Sequence, residues 1–111
     1  MHILRFRKAN KNIWRAIKNG TKRVETRAAT PRYQRIGVGE RVRFVCGTQS
    51  FTKSVRHVRM FRTVPALTRA YRVKDINPFY TTTRELTAMY RTFPGYTEKI
   101  KRYGIVAFEL Q

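Results

Sequence analysis

The first twenty residues carry two hydrophobic patterns, one with the period of a strand and one with the period of a helix. In His2–Arg7 the apolar side chains of Leu4 and Phe6 fall on one side, which predicts a short first strand. Asn10 or Asn12 can cap the helix that follows, and Gly20 supplies the usual stop signal. The apolar stripe of this helix consists of Ile13, Trp14, Ala16 and Ile17.

Four further segments are predicted to be extended. Thr21–Arg27 is short and mostly polar, whereas Arg41–Cys46 alternates cleanly between apolar and basic residues. Lys53–Phe61 is predicted to pair with Arg41–Cys46 across Gly47–Thr52. Its apolar spacing breaks strict alternation, which predicts a β-bulge. Gly104–Leu110 closes the chain as a strand.

Helices and loops fill the remaining stretches. Ala28–Arg35 contains Thr30-Pro31 and is predicted to be a loop. Helical segments are predicted at Pro65–Tyr71, from Thr82 or Thr83 to about Arg91, and at Thr97–Tyr103 after a break at Phe93–Tyr96. This order of elements predicts an α+β fold in which a small barrel has helices at its side.

Composition indicates a single globular domain over residues 1–111, because 41% of the residues are hydrophobic. The lone Cys46 excludes an internal disulfide, and the two histidines lie too far apart in sequence to indicate a metal site. We predict no metal and no other cofactor. No apolar run approaches the ~20 residues that span a bilayer. The basic and apolar residues at the N-terminus alternate too briefly to form a secretory signal. These features predict a cytoplasmic protein without membrane contact.

Charge is the dominant compositional feature. The 25 lysines and arginines outnumber the 6 acids, which gives a net charge of +19, and 17 of the 25 are arginines. So many positive charges repel one another in a compact chain, and this repulsion favours a polyanionic partner. Arginine binds phosphate through a planar fork and stacks on bases. We therefore predict a nucleic-acid partner, RNA above DNA; the oligomeric state is left open.

Three motifs in the right order resemble those of the ASCH domain family. They are the G-x-K-x-x-E-x-R run of residues 20–27, the strand that begins at Gly39-Glu40, and the closing Tyr103-Gly104-Ile105 strand. The resemblance implies a PUA-like β-barrel of about five to six strands flanked by two to four helices, with a basic cleft beside the first motif. It also implies RNA binding. Some relatives are hydrolases, either of acetylcytidine or of RNA.

Lys22 and Glu25 are the candidate catalytic residues. The resemblance places Lys22 in the cleft, where neighbouring cations are expected to lower its pKa. A neutral amine there acts as a general base, a charged one holds phosphate, and a surface lysine does neither. Glu25 either pairs with Arg27 or a neighbouring arginine, or serves the chemistry. Residues three apart on a straight strand face opposite sides, so Lys22 and Glu25 meet only if the segment twists or bulges.

The candidate nucleic-acid-binding residues are basic or aromatic. Phe79 and Tyr80 are further candidates for stacking on unpaired bases, with core packing as the alternative for each aromatic side chain. The main set consists of Lys18, Lys22, Arg23, Arg27, Arg32, Arg35, Tyr33 and Tyr96.

Three functions compete at this point. The first is a non-enzymatic RNA-binding protein, the second is a hydrolase acting as a ribonuclease or as an acetylcytidine amidohydrolase, and the third is a DNA-binding protein. The acetylcytidine hydrolases carry threonine where this chain has Glu25, and a distant glutamate where this chain offers only Asp75 nearby. This departure, together with the shortage of acids, favours RNA binding.

Overall fold

A computed structural model describes the whole chain, Met1–Gln111. Five strands and six α-helices follow one another along it. The strands are β1 (His2–Phe6), β2 (Val24–Ala28), β3 (Arg41–Cys46), β4 (Gln49–Phe61) and β5 (Ile105–Leu110). The helices are α1 (Lys11–Asn19), α2 (Pro31–Gln34), α3 (Val64–Ala70), α4 (Val73–Ile76), α5 (Thr83–Thr92) and α6 (Tyr96–Tyr103). A 3₁₀ turn at Lys8–Asn10 precedes α1.

All five strands belong to one mixed sheet in the order β1-β3-β4-β5-β2. β1 runs parallel to β3, and every other pair is antiparallel. The end strands β1 and β2 do not pair with each other, so the curved sheet forms a half-barrel with an open seam. The predicted α+β fold with a small barrel is confirmed. The four helices of seven residues or more match the predicted number, and α2 and α4 are additional single turns.

The hairpin of β3 and β4 is tighter than predicted. Cys46 pairs with Gln49, so the turn is Gly47-Thr48 and not the predicted Gly47–Thr52. Gly47 has φ +60°, a conformation that favours glycine. The start of β4 was missed because its outward residues are serines and threonine, which weaken the hydrophobic signal. The predicted bulge is present, between Val55 and His57.

Two short helices fall where no helix was predicted. α2 interrupts the predicted Ala28–Arg35 loop, beginning at Pro31, where the missing N–H costs no hydrogen bond. α4 precedes the Asn77-Pro78 turn. Four residues are too few for a hydrophobic period to appear in a sequence. Of the two predicted caps of α5, Thr82 and Thr83, the structure has Thr82. Its hydroxyl accepts from the Glu85 N–H while the Glu85 side chain accepts from the Thr82 N–H.

Hydrophobic packing occurs on both faces of the sheet. Inside the half-barrel, Trp14 of α1 packs with Phe44 and Phe108, and its Nε1 donates to the Phe44 carbonyl at 3.0 Å. On the outside, helices α3 to α6 cover β5 and β2, where Leu67 and Leu86 pack against Ile105. No helix is long and apolar enough to cross a membrane.

Helices cover only the part of the sheet's outer face that β5 and β2 form. Val42 and Phe44 of β3 point into the half-barrel, so their neighbours Arg41 and Arg43 point outward. None of the outward residues of β1, β3 and early β4 is buried, and none belongs to a hydrophobic cluster. We call this region the bare face; it includes Ile3, Arg5, Arg41, Arg43, Thr52 and Ser54.

Candidate functional site

A cavity of about 740 Å³ lies at the open seam of the half-barrel. We call it the seam cleft. Its walls come from the end of β1 and the turn after it, from β2, from the Asn77–Tyr80 turn, and from α5 with the segment that follows. Lys22, Glu25 and Arg27 of the G-x-K-x-x-E-x-R motif all line it.

Backbone contacts hold Lys22 in the cleft wall. α1 ends at Gly20, which adopts φ +86°, and the Lys22 N–H then donates to the Ala16 carbonyl at 2.9 Å. The next N–H, that of Arg23, donates to the Asp75 carbonyl at 3.0 Å. The chain therefore turns before β2 begins, and the Lys22 side chain points inward with only 3% of its surface exposed.

The Lys22 amine has three oxygen partners. Its Nζ donates to the Val24 carbonyl at 2.7 Å and to the Ile76 carbonyl, and it lies 3.3 Å from Glu25 Oε1. Lys22 and Glu25 meet because Lys22 precedes the strand, so strand alternation does not separate them. An ammonium group has three N–H donors, which matches this set of acceptors. These three acceptors favour the charged ammonium form, although burial opposes it.

Glu25 and Arg27 are two apart on β2 and therefore share one face. Glu25 Oε2 accepts from Arg27 Nε at 3.2 Å and from Arg27 Nη2 at 3.1 Å. Glu25 Oε1 also accepts from the Thr26 N–H at 3.1 Å. Of the arginines considered as partners of Glu25, Arg27 is the one that pairs with it. We call Lys22, Glu25 and Arg27 the buried ion cluster.

Arg27 bridges the open seam. Its guanidinium carbon lies 5.0 Å from the ring centroid of Phe6, on the other end strand, and 5.5 Å from that of Tyr33. Arg27 Nη1 also donates to the Tyr33 hydroxyl at 3.4 Å. Since β1 and β2 share no backbone hydrogen bonds, this cation–π contact links the two edges of the sheet.

Burial and mutual attraction set the protonation of the cluster. Burial lowers the pKa of the Lys22 amine, and the Glu25 carboxylate opposes that shift. The predicted direction was right, but its main cause is burial; repulsion by Arg27 is a smaller one. Burial alone raises the pKa of Glu25, yet Lys22 and Arg27 outweigh it and hold that pKa below its usual value. Both carboxylate oxygens are occupied, so Glu25 is a poor base.

Hydroxyl and amide groups line the cleft beside the ion cluster. Thr26 Oγ1 hydrogen-bonds the Tyr90 hydroxyl, and burial raises the pKa of Tyr90, so this phenol stays protonated. Asn77 is buried, and its Oδ1 accepts from the Phe79 N–H at 2.9 Å. Its Nδ2 faces only the sulfur of Met89 at 3.5 Å, a weak acceptor. The Asn77 amide can therefore donate to a bound polar group.

The predicted binding residues separate into two groups. Lys22, Arg27 and Tyr96 line the seam cleft, as do the aromatic candidates Phe79 and Tyr80. Phe79 is 57% exposed and stands at the rim. The residues outside the lining are Lys18, Arg23, Arg32, Tyr33 and Arg35.

Several of the residues outside the cleft have local contacts of their own. Lys18 lies 5.6 Å from the ring centroid of Trp14. Arg32 Nη2 donates to the Ile3 carbonyl at 3.3 Å, and its guanidinium lies 5.3 Å from the ring centroid of Tyr33. Arg23 and Arg35 are exposed.

Sequence reasoning missed two arginines and an acid of the cleft. Arg5 and Arg7 line it because β1 is the end strand at the seam, and the strand order cannot be read from the sequence. Glu85 is the second carboxylate of the lining, whereas Asp75 is not part of it. Glu85 caps α5, which lowers the pKa of its carboxyl group. No cluster of histidine, cysteine or acidic side chains is able to hold a metal ion.

Solved structures share this fold. The crystal structure of hypothetical protein PH0355 matches with a TM-score of 0.84 at 22% sequence identity, covering 100% of this chain and 98% of that one. The solution NMR structure of protein PF0455 from Pyrococcus furiosus matches with a TM-score of 0.76 at 20% identity, covering 99% and 94%. At these identities the likeness shows the fold alone. No protein-family model and no curated protein sequence matches the chain.

Proposed function

We propose that the protein binds RNA, with an unpaired nucleotide in the seam cleft and the adjoining phosphates on nearby arginines. The half-barrel is compatible with the PUA-like barrel that the ASCH resemblance implies, and membership of the ASCH family is part of this proposal. RNA readers commonly splay out unpaired bases and stack them on aromatic rings. The cleft offers aromatic rings, an amide and cations for that purpose.

The observation that carries the proposal is the make-up of the cleft rim. Arg5 and Arg7 are exposed, line the cleft, and have no carboxylate within 4.0 Å. Phe79, whose backbone N–H donates to the Asn77 side-chain oxygen, has an exposed ring that lines the cleft. A cavity of about 740 Å³ is in the usual range for a small-molecule site, which is large enough for one nucleotide.

The distribution of ion pairs supports a polyanionic partner. Lys22, Arg27 and Arg72 are the only cationic lysine or arginine side chains within 4.0 Å of a carboxylate. All the other lysines and arginines lack such a partner, so their charge is available to phosphates. A free nucleoside carries no phosphate and makes no use of this charge, whereas an RNA strand does.

The geometry of the cleft disfavours the hydrolase alternative, because its titratable groups already have partners. The cleft lining contains no histidine, and the Lys22 amine is already engaged by two backbone carbonyls and by Glu25. The charges of Lys22 and Arg27 lower the pKa of Glu25, and hydrogen bonds at the start of α5 lower the pKa of Glu85. Incubation with acetylcytidine and with labelled RNA tests this alternative directly. We expect neither substrate to be cleaved; cleavage that is abolished by Lys22→Ala favours the hydrolase.

Binding of single-stranded oligouridylate, measured by fluorescence anisotropy, tests the proposal. Phe79→Ala removes a ring that is mostly exposed, so the fold is kept while base stacking is lost. We expect weaker binding by about 1–3 kcal/mol, the usual value of one stacked base. Met60→Ala is the matched control, because Met60 is 51% exposed and lies outside the cleft.

The outcomes separate the competing partners. Equal RNA affinity of the Phe79→Ala and Met60→Ala variants contradicts the placement of a nucleotide in the seam cleft. Tighter binding of the matching DNA oligonucleotide favours the DNA-binding alternative. An absence of binding to either nucleic acid at low salt contradicts the proposal as a whole.

A further inference from the structure

The bare face presents two arginines of its middle strand, β3, between residues of β1 and β4. Ile3, Arg43 and Thr52 stand side by side on β1, β3 and β4, and Arg41 stands beside Ser54. Arg41 and Arg43 are exposed. Their Cα atoms are about 6.7 Å apart along β3, because a strand rises about 3.3–3.4 Å per residue. Hydroxyl groups flank both of them.

Neither arginine has a carboxylate partner. Glu40 is the acid next to Arg41 in sequence, but its oxygens are turned away from the bare face. Oε1 accepts from the Gly37 N–H at 2.6 Å, and Oε2 accepts from His2 Nε2 at 3.0 Å. No salt bridge to Arg41 or Arg43 forms. The two guanidinium groups therefore stay free for an external anion.

Arg5 connects the bare face to the seam cleft. It lies on the end strand β1, where its register partner is Val45, an outward residue of β3. The same residue lines the cleft. A chain that leaves the cleft past Arg5 therefore reaches Arg43 and Arg41 over Ile3 and Val45, without passing a carboxylate of the bare face.

We propose that the bare face is a second RNA-binding surface, which holds the phosphates of a single strand as it leaves the cleft. The arginines bind phosphate oxygens, and Thr52 and Ser54 donate hydroxyl hydrogen bonds to the same backbone. The aromatic rings Phe44 and Phe51 of these strands pack inside the half-barrel. The surface therefore contacts the backbone without stacking bases, and it is indifferent to sequence. This inference rests on the proposed function.

The double variant Arg41→Gln/Arg43→Gln tests the surface. The probe is single-stranded oligouridylate of about twelve nucleotides. This strand is long enough to extend from a cleft that holds one nucleotide onto the bare face. We expect roughly tenfold weaker binding, and a salt dependence whose log–log slope is shallower by about 1.4, because two phosphate contacts are lost. Binding of an oligoadenylate of the same length weakens equally, since the contacts do not read bases.

A matched control removes the same charge elsewhere. Arg62→Gln/Arg69→Gln changes two exposed arginines that follow β4 and end α3, and neither one lines the cleft. Equal losses for the two double variants overturn the second surface and leave only a general effect of charge. Unchanged binding of Arg41→Gln/Arg43→Gln, with the unsubstituted protein still bound to RNA, also overturns it while the proposed function stands. If the unsubstituted protein binds no RNA, the proposed function fails first.

Discussion

The buried ion cluster and the bare face use the same kind of side chain in opposite ways. In the cluster, Lys22 and Arg27 share one carboxylate, and Lys22 also donates to two backbone carbonyls. On the bare face, Arg41 and Arg43 have no carboxylate partner. The 25 lysines and arginines therefore include two populations, one that shares a carboxylate inside the fold and one that has no carboxylate partner.

The difference follows from the surroundings of each group. A charge removed from water costs several kcal/mol unless it is paired and hydrogen-bonded. An exposed guanidinium stays hydrated and needs no partner. The cluster is therefore expected to matter mainly for folding and for the shape of the seam cleft, and the bare face mainly for binding. The predictions below test this division.

Removal of the shared carboxylate is expected to have the largest effect. Glu25→Gln leaves the buried Lys22 and the partly buried Arg27 without a counter-charge while the size of the side chain is kept. We expect a loss of roughly 3–5 kcal/mol in the free energy of unfolding, measured by urea denaturation. Glu98→Gln is the control, because Glu98 is exposed and has no salt bridge. Equal stability of these two variants contradicts a stabilising role for the cluster.

Acid is expected to weaken the folded protein through the same carboxyl group. Lys22 and Arg27 hold the pKa of Glu25 below its usual value in the folded state, despite burial. The stability that this shift gives is fully present above the unfolded pKa of about 4.3, and it is lost as the pH falls through the lower folded pKa. Glu25→Gln should lack this part of the pH dependence. Identical acid profiles for the two proteins contradict the assignment; Glu40 and Glu85 titrate in both.

Neutralisation of the bare face is expected to leave stability almost unchanged. Arg41→Gln/Arg43→Gln removes hydrated charges without breaking an ion pair, so the free energy of unfolding should change by less than about 0.5 kcal/mol. The same variant should bind RNA less tightly. A loss of stability comparable with that of Glu25→Gln means that these arginines have a structural role, and it ends the contrast between the two regions.

Much of the fold could be predicted from local patterns. The β3 strand Arg41–Cys46 was predicted with its observed bounds because apolar and basic residues alternate without a break. The bulge in β4 and the cap at Thr82 also followed from local signals. The helix α4 did not, because Val73–Ile76 is a single turn. The strand order, and with it the open seam, depends on pairing between distant segments that no local pattern records.

The site was predictable to the extent that its residues are neighbours in sequence. Lys22, Glu25 and Arg27 lie within one motif, and the structure brings them together. Arg5 and Asn77 were missed because they reach the cleft only through the sheet order and the turn after α4. The burial of Lys22 was also not visible in the sequence, since a short polar segment gives no sign of which side faces the core.

The most direct test of the central claim is the salt dependence of RNA binding by the unsubstituted protein. Arg5, Arg7, Arg41 and Arg43 are the unpaired arginines assigned to phosphates. Four such contacts predict that the logarithm of the affinity for single-stranded oligouridylate falls with the logarithm of the salt concentration with a slope of about −3. A slope near zero, or no binding at low salt, contradicts the claim that these cations hold an RNA backbone.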